Sequence, residues 1–134
     1  CFFLILLRYF MGGNLMEMVR IYNLQDYENL PVTKWNIKQP SDEEKRPEAL
    51  DEGSLDLMLI PGMAFTEKGL RLGRGKGYYD TYLAKAKSKE INPKTLALAF
   101  NEQIVTEVPC DDHDYTIDSV IYPLKFISHH SVDD

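Results

Sequence analysis

The sequence has little cysteine, no long apolar run and no excess of basic charge. Its two cysteines, Cys1 and Cys110, are spaced neither as metal ligands nor as a disulfide framework, which favours a reducing compartment. The apolar stretch at 2–7 is too short to span a membrane, and it lacks the basic flank and cleavage site of a signal peptide. A net charge of −6 argues against a general nucleic-acid-binding protein. We therefore expect a cytoplasmic protein with no membrane or nucleic-acid partner.

Length and composition predict one globular domain over residues 1–134. A chain of this length can bury a core, and its 44% hydrophobic content is typical of globular proteins. The sequence shows no internal repeat. The last ten residues, 125–134, are predicted to form a flexible tail.

The order of apolar and polar segments predicts an α/β fold. Short apolar runs bounded by glycine, proline or asparagine indicate strands, and a period of three to four residues indicates a helix. Strands are predicted at 2–10 and 16–22, joined by a hairpin turn, and at 55–60, 95–100 and 119–122. Helical segments are predicted at 24–30 and 48–50, and over 81–89 as the continuation of a helix that the glycine loop opens. Residues 31–47 are predicted to form a solvated polar loop. The continuous apolar run at 55–60 predicts a strand that is covered on both faces.

Residues 70–80 form the most informative segment. Gly73, Gly75 and Gly77 alternate with Arg74 and Lys76, and the segment leads into the predicted helix. Glycine allows backbone N–H groups to approach an anion closely, and a helix N-terminus adds aligned amide dipoles. The segment is therefore predicted to bind phosphate, although its spacing matches neither a Walker A loop nor a dinucleotide fingerprint. The alternative from spacing alone is a flexible basic turn.

These residues also carry a family resemblance. The ordered segments 56–65 and 69–80 closely resemble the signature of the 5-formyltetrahydrofolate cyclo-ligases, also called methenyltetrahydrofolate synthetases, of the eukaryotic type. The resemblance continues through 16–20, 35–37, 95–100, 102–103 and 108–109, and so covers about 8–122. It implies a three-layer α/β fold with a mostly parallel sheet flanked by helices.

The resemblance further implies a reaction and its residues. ATP, with Mg²⁺, phosphorylates the formyl oxygen of 5-formyltetrahydrofolate, N10 attacks the activated carbon, and 5,10-methenyltetrahydrofolate forms as phosphate leaves. Arg74 and Lys76 are implied to be catalytic, and Asp80 and Asp114 to be metal ligands. The implied nucleotide-binding residues are Arg71, Leu72, Gly73, Arg74, Gly75, Lys76, Gly77, Tyr78 and Tyr79. Those implied to contact the folate are Arg74, Gly75, Lys76, Gly77 and Tyr78.

Neighbouring residues have simpler interpretations. Tyr79 falls on the apolar stripe of the predicted helix with Leu83 and Ala86, so Tyr78 is the better ligand candidate. Trp35 could stack on a ligand ring, but packing is favoured. Phe65 could line the folate pocket. Cys110 has no base in a recognisable arrangement, and His113 is predicted to be an exposed loop residue.

The resemblance leaves one part of the family unmatched. Family members carry an N-terminal segment that supplies basic residues to ATP and an acidic residue to the substrate, and we expect this chain to lack it. Its loss is predicted to expose an apolar face of the sheet. We expect a monomeric enzyme. The alternative is a truncated, non-catalytic relative that binds nucleotide or folate. An RNA-associated module and a sugar-phosphate enzyme are weaker alternatives.

Overall fold

The computed structural model describes residues 4–10, 13, 15–109, 111–112 and 114–123. Strands β1 (Leu4–Tyr9) and β2 (Met16–Ile21) pair antiparallel, with Tyr9 opposite Met16. Across this hairpin the buried Arg8 forms an ion pair with Glu17 at 2.6 Å. The predicted hairpin is confirmed, although most of its turn lies outside the described residues.

A short helix, α1 (Leu24–Glu28), follows β2 as predicted. Asn23 caps it by accepting a hydrogen bond from the Asp26 amide at 2.8 Å. The 31–47 loop is less solvated than the sequence suggested, because Arg46 leaves only 7% of its side chain exposed and pairs with Asp26 at 2.7 Å. This hydrogen bond lowers the pKa of Asp26 to about 2. The pair joins the loop to the N-terminus of α1.

The predicted helix at 48–50 is wrong. Glu48 instead forms an isolated bridge with Val19, and the chain then turns. The buried Glu48 carboxylate accepts hydrogen bonds from the amides of Met18 and Leu50, at 3.2 and 2.8 Å. The amides three and four residues after Glu48 donate to its carbonyl at 3.1 Å each, so the segment forms a single turn that does not continue into a helix.

Three strands lead to residues 73–77, named the glycine segment here, and a helix follows this segment. Strand β3 (Leu57–Leu59) is followed by an antiparallel hairpin of two short strands, β4 (Ala64–Phe65) and β5 (Arg71–Leu72). Helix α2 (Tyr78–Ser88) comes next. The sequence did not predict the β4–β5 hairpin, because each strand is only two residues long. Helix α2 was predicted. No helix among the described residues is long and apolar enough to cross a bilayer.

The remaining strands complete a parallel sheet. Strands β6 (Lys94–Leu98) and β7 (Ser119–Ile121) follow α2, separated by a 3₁₀ helix (Asn101–Gln103). The sheet has the order β3–β6–β7 and both of its pairs are parallel, which confirms the α/β class. All three strands are shorter than their predicted apolar runs.

The core lies between the sheet, α2 and the first hairpin. Tyr82, Leu83 and Ala86 are each at most 2% exposed on α2, whereas Tyr79, which was predicted on the same stripe, is half-buried. The sheet contributes Met58, Ala97 and Val120 to the same cluster, which also contains Met16, Met18 and Phe65. This packing holds the start of α2 beside the carboxyl end of β3.

The opposite face of the sheet is apolar and open. Leu57, Leu59 and Leu98 are 55%, 56% and 63% exposed, and Ile121 is 40% exposed. The strand register puts Leu59 beside Leu96 and Leu98 beside Ile121, so these side chains form one continuous surface. The sequence predicted that the 55–60 strand is covered on both faces, and this is wrong for the described part of the chain. There, only one face of the sheet is packed against other elements.

Candidate functional site

The glycine segment lies at the carboxyl edge of the parallel sheet, where open α/β folds collect their ligands. It joins β5 to α2, and Gly77 is the residue before the helix, with φ 67°. Gly75 also has a positive φ of 78°, and a Cβ there would meet no atom within 4 Å. Helix α2 has no side-chain cap at Gly77, so its first N–H groups face the segment. This conformation supports the predicted anion site.

The basic side chains within and just before the glycine segment differ in their surroundings. Arg74 and Lys76 are exposed and form no ion pair with the described residues. Arg71 is turned inward, with 11% of its side chain exposed, and pairs with Asp80 at 3.3 Å. Two positive charges are thus directed to solvent beside open glycine backbone, and one is neutralised within the protein.

Tyr78 and Tyr79 attach the segment to the first hairpin. The Tyr79 hydroxyl lies 3.1 Å from that of Tyr9, and burial together with this hydrogen bond raises the pKa of Tyr79. The Tyr78 ring lies 4.8 Å from the Tyr9 ring, and its hydroxyl donates to the Gly13 carbonyl at 2.8 Å. Sequence reasoning missed Tyr9, because no local pattern relates it to residues 70 positions away. It follows that β1 supports one side of the segment.

Asp80 and Asp114, the predicted metal ligands, line the same cleft of about 390 Å³. Asp80 accepts a hydrogen bond from the Tyr115 amide at 3.0 Å, in addition to its ion pair with Arg71. The exposed Asp114 accepts from the Asp111 amide at 2.7 Å. The structure therefore brings together two carboxylates that are 34 positions apart in the sequence.

The donor set of this cleft fits Mg²⁺ bound with a nucleotide. Mg²⁺ is usually held by one or two carboxylates, with phosphate oxygens and water completing its octahedron. The described residues contain no group of three or more side chains placed to hold a metal ion by themselves. A metal at Asp80 and Asp114 would accordingly need ligands from a bound phosphate.

A second cleft, of about 740 Å³, lies between residues 66–70 and 104–108. Its charged lining consists of Glu67, Glu107 and Lys68. No predicted site residue lines it. The smaller cleft, which the two predicted metal ligands line, is therefore the better candidate.

Two aromatic predictions are wrong. Phe65 is 0% exposed in the core, so it does not line a pocket. Trp35, for which packing was favoured, is 58% exposed, and Lys34 Nζ lies 4.6 Å from its ring centroid. Its stacking on a ligand stays a prediction. Cys110, His113 and the predicted tail at 125–134 lie outside the described residues.

Comparisons with known proteins agree with this geometry. A family model described as the 5-formyltetrahydrofolate cyclo-ligase family matches residues 4–123. The 5-formyltetrahydrofolate cyclo-ligase of Mus musculus is 49% identical over 116 residues, and a probable enzyme of the same name from Caenorhabditis elegans is 42% identical over 113. These alignments cover 86% and 83% of this chain.

A solved structure shows the same fold. The NMR structure of Aquifex aeolicus 5,10-methenyltetrahydrofolate synthetase superposes with a TM-score of 0.63 at 30% identity, over 90% of this chain. The chain spans only part of these proteins, namely 57% of the mouse relative, 55% of the nematode relative and 55% of the Aquifex chain. Because the family model matches this chain from its first described strand to beyond its last, the chain belongs to the 5-formyltetrahydrofolate cyclo-ligase family.

Proposed function

We propose that this chain carries the phosphate- and folate-binding part of an ATP-dependent 5-formyltetrahydrofolate cyclo-ligase. The reaction joins N10 of the folate to the formyl carbon, giving 5,10-methenyltetrahydrofolate, ADP and phosphate. The observation that carries the proposal is the segment between β5 and α2, in which two exposed cations flank open glycine backbone at a helix N-terminus. Family membership supplies the identity of the substrates.

Arg74 and Lys76 are assigned to the transferring phosphoryl group. Phosphoryl transfer depends mainly on positioning and on neutralising charge, for which exposed cations on an ordered loop are suited. The N–H groups around Gly75 and Gly77, both with positive φ, would receive phosphate oxygens. Tyr78 would contact the folate through its ring, because its hydroxyl already donates to Gly13.

Asp80 and Asp114 are assigned to Mg²⁺. When bound, the ion would neutralise phosphate charge and help to orient the triphosphate. Asp80 remains oriented by the Tyr115 amide, and each carboxylate oxygen keeps a lone pair for a metal. The predicted cytoplasmic location and monomeric state belong to the same proposal.

The first test is formation of methenyltetrahydrofolate by this chain from 5-formyltetrahydrofolate with ATP and Mg²⁺, followed by product absorbance. Turnover supports the proposal. Lys76→Ala is expected to lose most of it, while Lys45→Ala, which removes an exposed cation from the 31–47 loop, should retain it. Activity in Lys76→Ala equal to the wild type would remove Lys76 from the mechanism.

A second candidate function is binding without turnover, favoured by the fact that the chain spans 57% of the mouse relative. ATP or folate binding measured by calorimetry, without product, would identify this case. If neither ligand binds and no product forms, both candidate functions are wrong for the isolated chain.

A further inference from the structure

Gln39 completes the backbone hydrogen bonding at the end of β1. The Phe10 amide donates across the hairpin to the Leu15 carbonyl at 3.4 Å, so the backbone groups of Tyr9, one residue earlier, point away from β2. On that side the Gln39 Oε1 accepts from the Tyr9 amide at 3.1 Å, and its Nε2 donates to the Tyr9 carbonyl at 3.0 Å. One side-chain amide therefore takes the place of a neighbouring strand at Tyr9.

The Gln39 side chain is held in a fixed place. Gln39 is 7% exposed, and its backbone amide donates to the Pro31 carbonyl at 3.2 Å. It directly follows the bridge between Val32 and Lys38, which closes the turn that carries Trp35. Only one orientation of the side-chain amide suits both of its partners, because one of them is a donor and the other an acceptor. The segment 31–39 thus forms a fixed support for the end of β1.

Tyr9 carries this support to the start of helix α2. Its ring centroid lies 4.8 Å from that of Tyr78, with the two planes tilted by 59°, which is a favourable arrangement for an aromatic pair. Its hydroxyl lies 3.1 Å from that of Tyr79. Both contact residues begin α2, directly after Gly77. A displacement of the Tyr9 backbone would therefore move the ring against which Tyr78 rests.

We propose that Gln39 is a positioning residue for the folate, because it fixes Tyr9, and Tyr9 fixes the ring of Tyr78 that the folate contacts. The inference rests on the proposed contact of Tyr78 with the folate. A role in stability alone would lower the free energy of unfolding in any background. A positioning role also requires that the effect of Gln39 on folate binding disappear when the Tyr9 ring is absent, since that ring transmits it.

A double-mutant cycle between Gln39 and Tyr9 tests the proposal. Gln39→Met keeps the length of the side chain and removes both hydrogen bonds, and Tyr9→Leu removes the ring. The affinities for 5-formyltetrahydrofolate and for ATP are measured by calorimetry for the wild type, both single variants and the double variant, after circular dichroism has shown each to be folded. Gln25→Met is the matched control, because Gln25 is an exposed glutamine on α1.

A second measurement uses no ligand. In protein with isotope-labelled tyrosine rings, the NMR resonances of the Tyr78 ring report the position of the Tyr9 ring through its ring current. We expect Gln39→Met to shift the Tyr78 resonances part of the way toward their positions in Tyr9→Leu. Gln25→Met should leave them unchanged.

We expect Gln39→Met to weaken 5-formyltetrahydrofolate binding about fivefold in the wild-type background and less than about twofold in Tyr9→Leu. ATP affinity should change less than about twofold, because this chain of contacts leads to Tyr78 and Tyr79 and not to the exposed cations. Equal losses of folate affinity in both backgrounds, a loss of ATP affinity as large as that of folate affinity, or unchanged Tyr78 resonances in Gln39→Met would each overturn the inference.

A further variant, Gln39→Glu, guards against a methionine variant that does not fold. Glutamate has the same shape and keeps an acceptor for the Tyr9 amide, but when ionised it cannot donate to the Tyr9 carbonyl. It should weaken folate binding in the wild-type background and not in Tyr9→Leu; wild-type folate affinity together with wild-type Tyr78 resonances would overturn the inference. If the wild-type chain binds no folate, the proposed function fails at the binding step, and the Tyr78 resonances still decide whether Gln39 positions that ring.

Discussion

The contact between Glu48 and Tyr82 is predicted to anchor helix α2, and with it the candidate site. Glu48 is 7% exposed and accepts three hydrogen bonds, from the amides of Met18 and Leu50 and from the Tyr82 hydroxyl. Burial and the hydrogen bond to Glu48 raise the pKa of Tyr82, which keeps the phenol protonated as the donor. One carboxylate therefore joins β2, the 48–50 turn and α2.

Glu48→Ala would leave three buried donors without their acceptor. At about 1 to 2 kcal/mol for each buried donor, the free energy of unfolding should fall by about 3–6 kcal/mol. Tyr82→Phe removes one bond and should cost about 1–1.5 kcal/mol. The double variant should be little worse than Glu48→Ala, because the Tyr82 hydroxyl has already lost its partner in that protein.

Urea unfolding followed by far-ultraviolet circular dichroism measures these differences. Fluorescence is a poorer probe, since the single tryptophan, Trp35, is 58% exposed. Glu52→Ala is the matched control, because Glu52 is an exposed acid in the same turn, and its cost should stay within about 0.5 kcal/mol. A cost of Glu48→Ala no greater than that of the control, or strictly additive costs in the double variant, would refute the anchoring role.

Three other predictions concern pH, the open sheet face and a glycine. The pKa of Asp26 is lowered in the fold from 3.8 to about 2, so its ionised form contributes stability above about pH 4 that is lost as the pH falls toward 2. The difference in urea midpoint between wild type and Asp26→Asn should shrink over that range; a constant difference would argue against the ion pair with Arg46. Leu98→Lys, on the open apolar face, should leave the free energy of unfolding, measured in urea, within about 0.5 kcal/mol of the wild type because Leu98 is 63% exposed; a loss as large as that of a core substitution would contradict the exposure of this face. Gly77→Ala should lower the free energy of unfolding by about 1 kcal/mol, since alanine is strained at φ 67°, whereas Gly13→Ala, at an exposed position with space for a Cβ, serves as its control.

Local sequence was a good guide where a local pattern decides the structure. The apolar runs gave the strands of the parallel sheet, and the spacing of Leu83 and Ala86 gave the buried stripe of α2. The glycine-rich segment was recognised because positive φ at Gly75 and Gly77 is a demand of the local backbone. Short β4 and β5, by contrast, have too few residues for any period to be visible.

The surroundings of individual side chains could not be predicted in the same way. Phe65 was expected at a pocket and is fully buried, while Trp35 was expected to pack and is exposed. Residues 48–50 have helical propensity, yet the acceptor role of Glu48 toward β2 determines their conformation. In each case, elements distant in the sequence decide which side of a residue meets solvent.

By itself, then, the sequence determined the fold class, the family and the position of the segment proposed to bind phosphate, because these depend on residue types in a contiguous order. Only the tertiary structure decided that Arg71 turns inward to Asp80 while Arg74 and Lys76 remain exposed, since all three are basic residues of one short segment. It also brought Tyr9 to Tyr79 across 70 positions. Such pairings depend on how strands and helices pack, and the energy of packing is shared among residues that no local pattern connects.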